Sequence, residues 1–316
     1  MIVVGGEALV DLVPAGPVES TVDAALAPLR PMPGGGPYNV AITAGRLGDP
    51  VRFLSRLSTD GFGDALLRRL QLSNVDVSMV RRGPEPTTLA VAGIGPDGSA
   101  RYSFHVEGTA DRLVSDPGEL PAEVTTLSLG TLSLLLEPGA TTYETMLRRH
   151  ARRGGLTVLD PNIRPVLVSD PDAHRARFVS WLPDIGLLKL SVEDARWLGG
   201  LGDGEPVEAL VRAWVSKGPA AAVLTRGAEG LAVITADGEL VEVPAAAATV
   251  VDTIGAGDTV HGALLHWLYR RGISATAPLR AVSAADWRDA LSFAARAAAV
   301  TVSRAGAEPP YLPEIM

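Results

Sequence analysis

Hydrophobic positions along the chain follow two alternating patterns. Short, continuous apolar runs are typical of strands that are buried on both faces of a sheet. They alternate with segments in which apolar residues recur every three or four positions, as in amphipathic helices. The predicted strands lie at residues 2–4 continuing into 8–13, then at 51–54, 127–130, 156–159, 186–190 and 221–225. This alternation predicts a doubly wound α/β fold with a mostly parallel sheet flanked by helices.

A different pattern interrupts this alternation between residues 85 and 110. Residues 87–94 and 100–106 are rich in β-branched and aromatic side chains, and Pro96-Asp97-Gly98 between them is typical of a tight turn. We therefore predict a hairpin that belongs to a small inserted sheet. Residues 14–33 are rich in proline and alanine and show no helical period.

Composition excludes several classes of function. The 316 residues are 47% hydrophobic, enough for a sizeable core, and their formal net charge of −8 argues against nucleic acid as the main partner. The chain has no cysteine, so disulfides and thiolate metal sites are excluded. No apolar run approaches the roughly 18 residues that span a bilayer, and the first residues are predicted to form a strand rather than a signal peptide. We therefore expect a soluble, cytoplasmic protein with no membrane partner.

The most informative stretch is Asp252-Thr-Ile-Gly-Ala-Gly-Asp258, which opens an apolar helix. Arginines at the far end of that helix, followed by Gly272, complement the helix dipole and leave the N-terminus as its positive pole. Three residues at this pole carry almost no side chain: Gly255, Ala256 and Gly257. Their amides can therefore approach an anion closely, as amides do in phosphate sites at helix N-termini.

Asp258 stands among these amides and has two interpretations. The carboxylate could simply cap the helix. Alternatively, it could take a proton from a hydroxyl group while the amides stabilise a transferring phosphoryl group.

Other polar residues follow predicted strands, where ligands bind in open α/β sheets. Asp11 lies near the end of the opening strand, and Asn162 and Arg164 follow the strand at 156–159. Asp11 could instead start a turn before Pro14, and Arg164 could instead form a surface salt bridge. The residues alone leave these alternatives open.

The heptad 252–258 resembles the second signature of the ribokinase-like, or pfkB, carbohydrate kinases, whose core is Asp-Thr-x-Gly-Ala-Gly-Asp. The first signature of that family, Gly-Gly-x-x-x-Asn-x-Ala with Leu-Gly at the helix end, is matched by Gly34, Gly35, Asn39, Ala41, Leu47 and Gly48. The string Asp-Pro-Asn-Ile-Arg at 160–164 is most similar to the fructokinase and 2-keto-3-deoxygluconate kinase branches. The resemblance implies one ribokinase-like domain over residues 1–316, with β-sheet lid segments at about 12–33 and 85–110.

The resemblance also implies a reaction, the transfer of the ATP γ-phosphoryl group to a hydroxymethyl group of a sugar. Asp258 is then the base, and the amides of Gly255, Ala256 and Gly257 receive the developing charge. The implied sugar-binding residues are Asp11, Gly34, Gly35, Asn39, Phe104, Asn162 and Arg164. His105 is expected to face the substrate beside Phe104, unless the hairpin faces solvent and has no ligand role.

Sites for the nucleotide and for Mg²⁺ are implied in the same way. The implied nucleotide-binding residues are Thr225, Gly227, Gly230 and Gly257. The implied residues for Mg²⁺, held mostly through water, are Asp194 and Glu193. Most family members have Asn-x-x-Glu where this chain has Ser191 and Asp194, which shortens the acidic side chain and puts the contact to the metal-bound water in doubt.

The family often binds a monovalent cation such as K⁺ beside the anion hole. The implied residues are Asp252, Ile254 and Gly306. The expected partners are thus ATP and a small sugar, and the exposed edge of a lid sheet offers a surface for pairing two subunits as a homodimer.

Fructose is the sugar that the motifs favour. Phe104-His-Val-Glu107 lacks the arginine that many fructokinases and ketodeoxygluconate kinases place there, which argues against an acid sugar. Ribose, 2-keto-3-deoxygluconate or a nucleoside remain alternatives, as does a regulator that binds sugar without catalysis. Asp258 and the anion hole argue against the regulator. A dinucleotide-dependent dehydrogenase is disfavoured because no Gly-x-Gly-x-x-Gly follows the first strand.

Overall fold

The structure, a computed structural model, describes residues 1–16, 28–94 and 100–316. Within those residues, thirteen strands form one nine-stranded sheet and one four-stranded sheet. The strands are β1 Ile2–Gly5, β2 Leu9–Pro14, β3 Leu29–Gly34, β4 Val51–Ser58, β5 Val80–Gly83, β6 Leu89–Ile94, β7 Ala100–His105, β8 Thr126–Gly130, β9 Leu156–Asp160, β10 Leu187–Ser191, β11 Ala221–Thr225, β12 Leu231–Thr235 and β13 Leu240–Val243.

The large sheet has the strand order β13-β12-β11-β10-β9-β8-β1-β4-β5. Its strands from β11 through β5 pair in parallel, and only β12 and β13 join antiparallel at one edge. The predicted mostly parallel sheet is therefore confirmed. Parallel strands bring their carboxyl ends to one edge of the sheet, which is where ligands bind in such folds.

Helices cover both faces of this sheet. They are α1 Gly36–Arg46, α2 Gly61–Leu72, α3 Gly139–Arg152, α4 Pro171–Trp181, α5 Val192–Gly199, α6 Glu208–Val215, α7 Ala256–Arg270, α8 Thr276–Arg280 and α9 Ala284–Val302. The sheet has a hydrophobic core on each face, and successive residues of a strand point into different cores. Val223 packs in the core beside α1, α7 and α9, whereas Leu224 packs in the core beside α3 to α6. Buried strands are thus apolar at nearly every position. In the described residues, no helix is both long and apolar enough to cross a bilayer.

The prediction of one continuous opening strand was wrong. The chain leaves the large sheet at Gly5, and β2 begins at Leu9 in the small sheet. Gly6 between them has φ 153°, a backbone conformation that favours glycine. Every residue from Ile2 to Val10 is buried, so the apolar run hides the point where the chain changes sheets.

The small sheet, hereafter the lid sheet, has the order β3-β2-β6-β7. It combines strands from both predicted lid segments: β2 pairs with β3 and runs parallel to β6, which forms a hairpin with β7. The predicted turn at Pro96-Asp97-Gly98 and residues 17–27 lie outside the described residues. The short link from Gly5 to Leu9 connects the large sheet to the lid sheet, and residues of both sheets line one cavity.

Candidate active site

The N-terminus of α7 supplies the predicted anion hole. Gly255 caps this 15-residue helix with φ 77°, a conformation that favours glycine. A methyl group on Gly255 would lie 2.6 Å from the Ala307 Cβ, so the C-terminal segment also packs against this position. The apolar face of α7 is buried against α1 and α9, as its sequence predicts. Packing along the helix therefore fixes the position of the amides at its start.

Asp258 lies in the first turn of α7 and is 9% exposed. Its Oδ2 accepts a 2.9 Å hydrogen bond from Nδ2 of Asn39 in α1. Burial raises the pKa of the Asp258 carboxyl, and the Asn39 hydrogen bond and the Lys189 charge oppose that shift. Its carboxylate does not cap the helix, because within the described residues it accepts its hydrogen bond from Asn39 and none from a backbone amide of the first turn. The buried Oδ1 of Asn39 has no hydrogen-bond partner among the described residues.

A cavity of about 490 Å³ opens in front of Asp258, between the large sheet and the lid sheet. It brings together thirteen of the predicted site residues. These are Asp11, Gly35, Asn39, Phe104, Asn162, Arg164, Glu193, Asp194, Thr225, Ile254, Gly255, Gly257 and Asp258. They come from seven separate parts of the chain, and the strand ends converge as the parallel sheet requires.

The remaining predicted residues do not line the cavity. Gly34 and Ala256 neighbour lining residues, and the ideal Cβ of Gly34 would collide with the carboxylate of Asp11. Gly227 and Gly230 form the turn after β11, both with positive φ, outside the lining set. The positive φ angles alone explain why these two positions are glycine, with no need for contact with a ligand.

The three residues predicted to hold a monovalent cation are joined directly. Asp252 Oδ2 accepts a 2.8 Å hydrogen bond from the Gly306 amide, and its Oδ1 accepts one of 3.0 Å from the Ile254 amide. The Asp252 carboxylate therefore ties the loop before α7 to the C-terminal segment. Of the three, only Ile254 lines the cavity.

The lid side of the cavity carries two aromatic rings. Tyr102 and Phe104 are stacked with their centroids 6.2 Å apart, and both line the cavity. His105 does not, and is exposed, so the prediction that it faces the substrate was wrong. Successive side chains on a strand point to opposite faces, so a residue next to Phe104 cannot share its direction. Tyr102, two positions away, could have been found by this period.

The carboxylate of Asp11 faces the same space. Burial raises its pKa to about 6, with the nearby Arg164 guanidinium acting in the opposite direction. Arg164 itself donates to the carbonyl of Asn162 at 3.1 Å and to its Oδ1 at 2.7 Å. The predicted pair of Asn162 and Arg164 thus forms one hydrogen-bonded unit on the cavity wall, and not a surface salt bridge.

Glu7 lines the cavity but escaped the sequence-based prediction. It is 3% exposed, and its carboxylate accepts hydrogen bonds from the amides of Gly36 (3.2 Å) and Ser133 (3.1 Å) and from the Ser133 hydroxyl. Burial raises its pKa to about 7, and the hydrogen bonds from Ser133 lower it. A glutamate inside the apolar run from residue 2 to 10 was the available signal.

Lys189 and Asp160 form a second group that the prediction missed. Lys189 Nζ donates to Asp160 Oδ2 at 2.6 Å, and both side chains are 5% exposed. Burial opposes the charge on Lys189, but the Asp160 carboxylate outweighs it and raises the lysine pKa. A lysine in the centre of an otherwise apolar strand, Leu-Leu-Lys-Leu-Ser, was the signal that could have found this pair.

The two acidic residues predicted for Mg²⁺, Asp194 and Glu193, differ in whether their carboxylate oxygens are free to bind a cation. Both oxygens of Asp194 already accept hydrogen bonds, Oδ1 from the Ile163 amide and Oδ2 from Ser191 in a capping box. Glu193 is exposed beside the cavity. The described residues contain no group of three histidine or acidic side chains that could hold a metal ion. This donor set fits a cation that keeps most of its water and phosphate ligands.

Comparison with known proteins agrees with this geometry. A model of the pfkB family carbohydrate kinases matches residues 1–315. The fructokinase of Rhizobium leguminosarum bv. trifolii is 38% identical over 84% of this chain and 78% of its own length. The fructokinase of Klebsiella pneumoniae is 32% identical over 85% of this chain and 84% of its own.

Solved structures extend the similarity to the whole fold. The crystal structure of a fructokinase with bound ATP from Xylella fastidiosa superimposes with a TM-score of 0.88 at 25% identity, covering 99% of this chain and 96% of the other. The aminoimidazole riboside kinase of Salmonella enterica has a TM-score of 0.81 at 25% identity, covering 99% and 97%. With two signatures in one cavity and a family match along nearly its full length, the chain belongs to the pfkB family of carbohydrate kinases, which are phosphotransferases with an alcohol group as acceptor.

Proposed function

We propose that this carbohydrate kinase is a fructokinase, which transfers the γ-phosphoryl group of ATP to a hydroxymethyl group of fructose. One observation carries the proposal: Asp258, the amides at the start of α7 and the polar side chains of Asp11 and Asn39 share one cavity. A base, an anion hole and acceptors for hydroxyl groups are the parts that a sugar kinase needs.

Asp258 is the proposed catalytic base. The hydroxymethyl oxygen forms a bond to the γ-phosphorus, the bond from that phosphorus to the oxygen bridging to the β-phosphate breaks, and the hydroxyl proton passes to the Asp258 carboxylate. The amides of Gly255, Ala256 and Gly257 stabilise the charge on the transferring phosphoryl oxygens. A raised carboxyl pKa brings the base closer to neutral pH, which favours proton transfer.

The proposed sugar site lies between Asn39, Asp11 and the lid sheet. The unpartnered Oδ1 of Asn39 is a buried acceptor that a sugar hydroxyl would satisfy, while its Nδ2 holds Asp258. Asp11 adds a carboxylate acceptor, and Phe104 an apolar face. Gly34, Gly35 and the unit of Asn162 and Arg164 complete the proposed set.

ATP is proposed to enter from the side of β11. Thr225 lines the cavity there, and the turn containing Gly227 and Gly230 follows it. Mg²⁺ would neutralise phosphate charge and orient the phosphates. Glu193 is the carboxylate that would be available to hold its water ligands. The Asp194 carboxylate instead accepts hydrogen bonds from the backbone amides of Ile163 and Ser191.

K⁺ is proposed to bind beside the anion hole, at backbone oxygens of the loop that Asp252 ties to Gly306. A cation there would hold the loop before α7 in place. The test is activity in K⁺ compared with tetramethylammonium at equal ionic strength. Asp252→Ala is expected to abolish any K⁺ response because the loop loses both hydrogen bonds.

Fructose is preferred over the alternative sugars on two grounds. The relatives of 38% and 32% identity are fructokinases. The only arginine among the described lining residues, Arg164, already donates to the Asn162 backbone and side chain, which makes it a poor partner for the carboxylate of 2-keto-3-deoxygluconate. Ribose and a nucleoside remain alternatives, and the aminoimidazole riboside kinase fold is compatible with the latter class.

The test is an ADP-release assay with Mg²⁺-ATP and a panel of fructose, ribose, 2-keto-3-deoxygluconate, tagatose, adenosine and aminoimidazole riboside. We expect the highest kcat/KM with fructose and its loss in Asp258→Asn. A higher kcat/KM for another sugar would reject fructose but keep the kinase. Sugar binding without turnover would support the regulator, and undiminished turnover in Asp258→Asn would reject the mechanism.

We also propose that residues 1–316 form a single domain and that two copies pair through the lid sheet. Among the described strands, β3 and β7 are the edges of that sheet. Pro31 and Pro33 in β3 lack amide hydrogens, which discourages further strand pairing, so β7 is the edge expected to be shared. Light scattering should give the mass of a dimer, and a monomer at micromolar concentration would reject the pairing.

A further inference from the structure

We propose that Arg46, Arg69 and Glu308 are positioning residues, which hold the C-terminal segment against the anion hole so that its amides keep the geometry needed for phosphoryl transfer. Their role rests on the proposed kinase reaction. The contact that they support is that of Ala307 with Gly255, the residue that caps α7. An ideal Cβ on Gly255 would lie 2.6 Å from the Cβ and 3.0 Å from the Cα of Ala307, so the side chain and the backbone of the segment both pack there.

Two arginines bind the segment at this contact and just after it. Arg69 Nη2 donates to the Ala307 carbonyl at 2.8 Å and to Glu308 Oε2 at 2.7 Å. Arg46 Nη1 donates to the Pro309 carbonyl at 2.6 Å and lies 2.5 Å from Glu308 Oε1. The Glu308 carboxylate thus bridges the two guanidinium groups, and the carbonyls on both sides of it accept hydrogen bonds from them. Arg46, Arg69 and Glu308 are hereafter the arginine clamp.

The arginine clamp connects the segment to the helix that also orients the proposed base. Arg46 is the last residue of α1, and Arg69 lies in the last turn of α2. The same α1 carries Asn39, whose amide donates to Asp258. One helix therefore holds the base near its start and the packing behind the anion hole at its end.

Side-chain contacts fix the position of this segment. Among the described strands none belongs to it, and a further tie runs from the Gly306 amide to Asp252. The Glu308 side chain is 37% exposed, and ion pairs this open to solvent add little stability. A displacement of the amides by about 1 Å, in contrast, can lower a rate by about 10²-fold. The arginine clamp is therefore expected to affect the rate more than the stability.

Two variants and one control separate these effects. Arg69→Gln removes the direct bond to the segment and leaves Arg46 paired with Glu308. Glu308→Asp keeps the charge on a side chain that is shorter by one methylene group and should not bridge both arginines. It is preferred to loss of the charge, which would leave the buried Arg46 guanidinium without an anionic partner. Arg304→Gln is the matched control, since Arg304 lies in the same segment and pairs with Glu314 at a similar exposure of 32% and 37%.

The kinetic experiment compares kcat with KM. In Arg69→Gln we expect kcat with the best sugar of the panel to fall by roughly 10- to 100-fold because the anion hole is misplaced. The KM for that sugar should change by less than about 3-fold, since other side chains form the proposed sugar site. Glu308→Asp should lower kcat in the same direction, and Arg304→Gln should keep the wild-type kcat. A lowered melting temperature with an unchanged kcat in Arg69→Gln would show that the clamp is only structural and would overturn the proposal.

Hydrogen exchange followed by peptide mass spectrometry tests the clamp without turnover. Peptides that cover residues 252–260 are expected to exchange faster in Arg69→Gln than in the wild type, and at the wild-type rate in Arg304→Gln. Unchanged exchange of these peptides in Arg69→Gln would contradict a clamp that acts on the start of α7. If the wild type phosphorylates no sugar in the panel, the proposed function fails, yet the exchange rates still decide whether the clamp holds the anion hole.

A double variant tests whether the arginine acts through the contact with Gly255. Ala307→Gly removes the Cβ that packs there, so Arg69 would have less left to position in its presence. The losses of kcat in Arg69→Gln and Ala307→Gly should therefore be less than additive when the two are combined. Fully additive losses would place the effect of Arg69 elsewhere and reject the proposed route.

Discussion

Asn39 and Asp258 are 219 residues apart in the chain and are joined by a 2.9 Å hydrogen bond from the Asn39 amide to the Asp258 carboxylate. The bond connects α1, which follows the lid strands, to α7, which carries the anion hole. It orients the proposed base and leaves the Asn39 Oδ1 free for a sugar hydroxyl. In the proposed mechanism, one amide side chain thereby links sugar binding to proton transfer.

Replacement of the proposed base is the first prediction. Asp258→Asn should lower kcat by about 10²- to 10⁴-fold, the range for loss of a general base, because an amide cannot take the hydroxyl proton. The KM for ATP should change little. The exposed Asp203→Asn is a matched control that should retain wild-type kcat. A kcat within 3-fold of the wild type would contradict the assignment of Asp258 as the base, because loss of a general base costs about 10²-fold or more.

Removal of the Asn39 amide is expected to change the pH profile. The hydrogen bond stabilises the ionised form of Asp258, so Asn39→Ala should raise the pKa of this carboxyl further. Because the base acts when ionised, the acid limb of kcat/KM should move to higher pH. The KM for sugar should also rise, since a hydroxyl partner is lost. An acid limb at the wild-type pH would show that Asn39 does not act through Asp258.

Two glycines with similar backbone conformations allow a matched comparison. Gly255→Ala should destabilise the protein by about 2–4 kcal/mol, since positive φ and a collision with Ala307 add together. Gly272 has φ 69° with open space around it, so Gly272→Ala should lose only about 1 kcal/mol. Urea unfolding gives both values.

Partial rescue separates collision from backbone strain at Gly255. Adding Ala307→Gly to Gly255→Ala removes the Cβ that lies 2.6 Å away and should recover part of the lost stability. Equal unfolding free energies for Gly255→Ala and Gly272→Ala would contradict the packing of the C-terminal segment against the anion hole.

The raised pKa of Glu7 predicts how the free energy of unfolding depends on pH. Its folded-state pKa is raised from 4.5 to about 7, so the folded state binds the proton more tightly than the unfolded state. The resulting stability is fully present below pH 4.5 and is lost as the pH rises through 7. The 2.5-unit difference corresponds to about 3 kcal/mol.

The measurement compares Glu7→Gln with the wild type by urea unfolding at pH 5 and pH 7.5. The stability of Glu7→Gln relative to the wild type should increase by about 2.5 kcal/mol between these conditions, because part of the linkage has already been lost at pH 5 and a little remains at pH 7.5. Asp11 also has a raised pKa, but it is present in both proteins and cancels in the difference. The Asp111 carboxylate interacts with Glu7 and helps to raise its pKa, so this coupling is part of the measured difference. A constant difference would show that Glu7 is ionised in the folded state across this range.

The sequence predicted the parts of the site that local patterns encode. The heptad 252–258 combines small residues, a helix start and a carboxylate, and each is a short-range feature whose geometry follows from the helix N-terminus. The parallel sheet followed from the alternation of apolar runs with helical periods. Asn39 could be placed near a helix start and Arg164 after a strand end, and both line the cavity. Asp11 was predicted near the end of the opening strand, but it lies within β2 of the lid sheet and reaches the cavity from there.

The remaining features depend on contacts that no local pattern encodes. The chain changes sheets after Gly5, but the apolar run continues because both sheets bury it. Lys189 becomes a site residue only through Asp160 and Gly257, which lie far away in sequence. Asp194 was predicted to face a metal, yet Ser191 and the Ile163 amide occupy its oxygens.

Ala307 lies in the segment after α9 and packs against Gly255 at the start of α7. That segment therefore forms one wall of the proposed anion hole, although it contributes no described strand to either sheet. A chain that ends at Val302 would keep every described strand and the helices α1 to α9 and would still lack this wall. Removal of the segment is thus expected to abolish activity at a smaller cost to the fold.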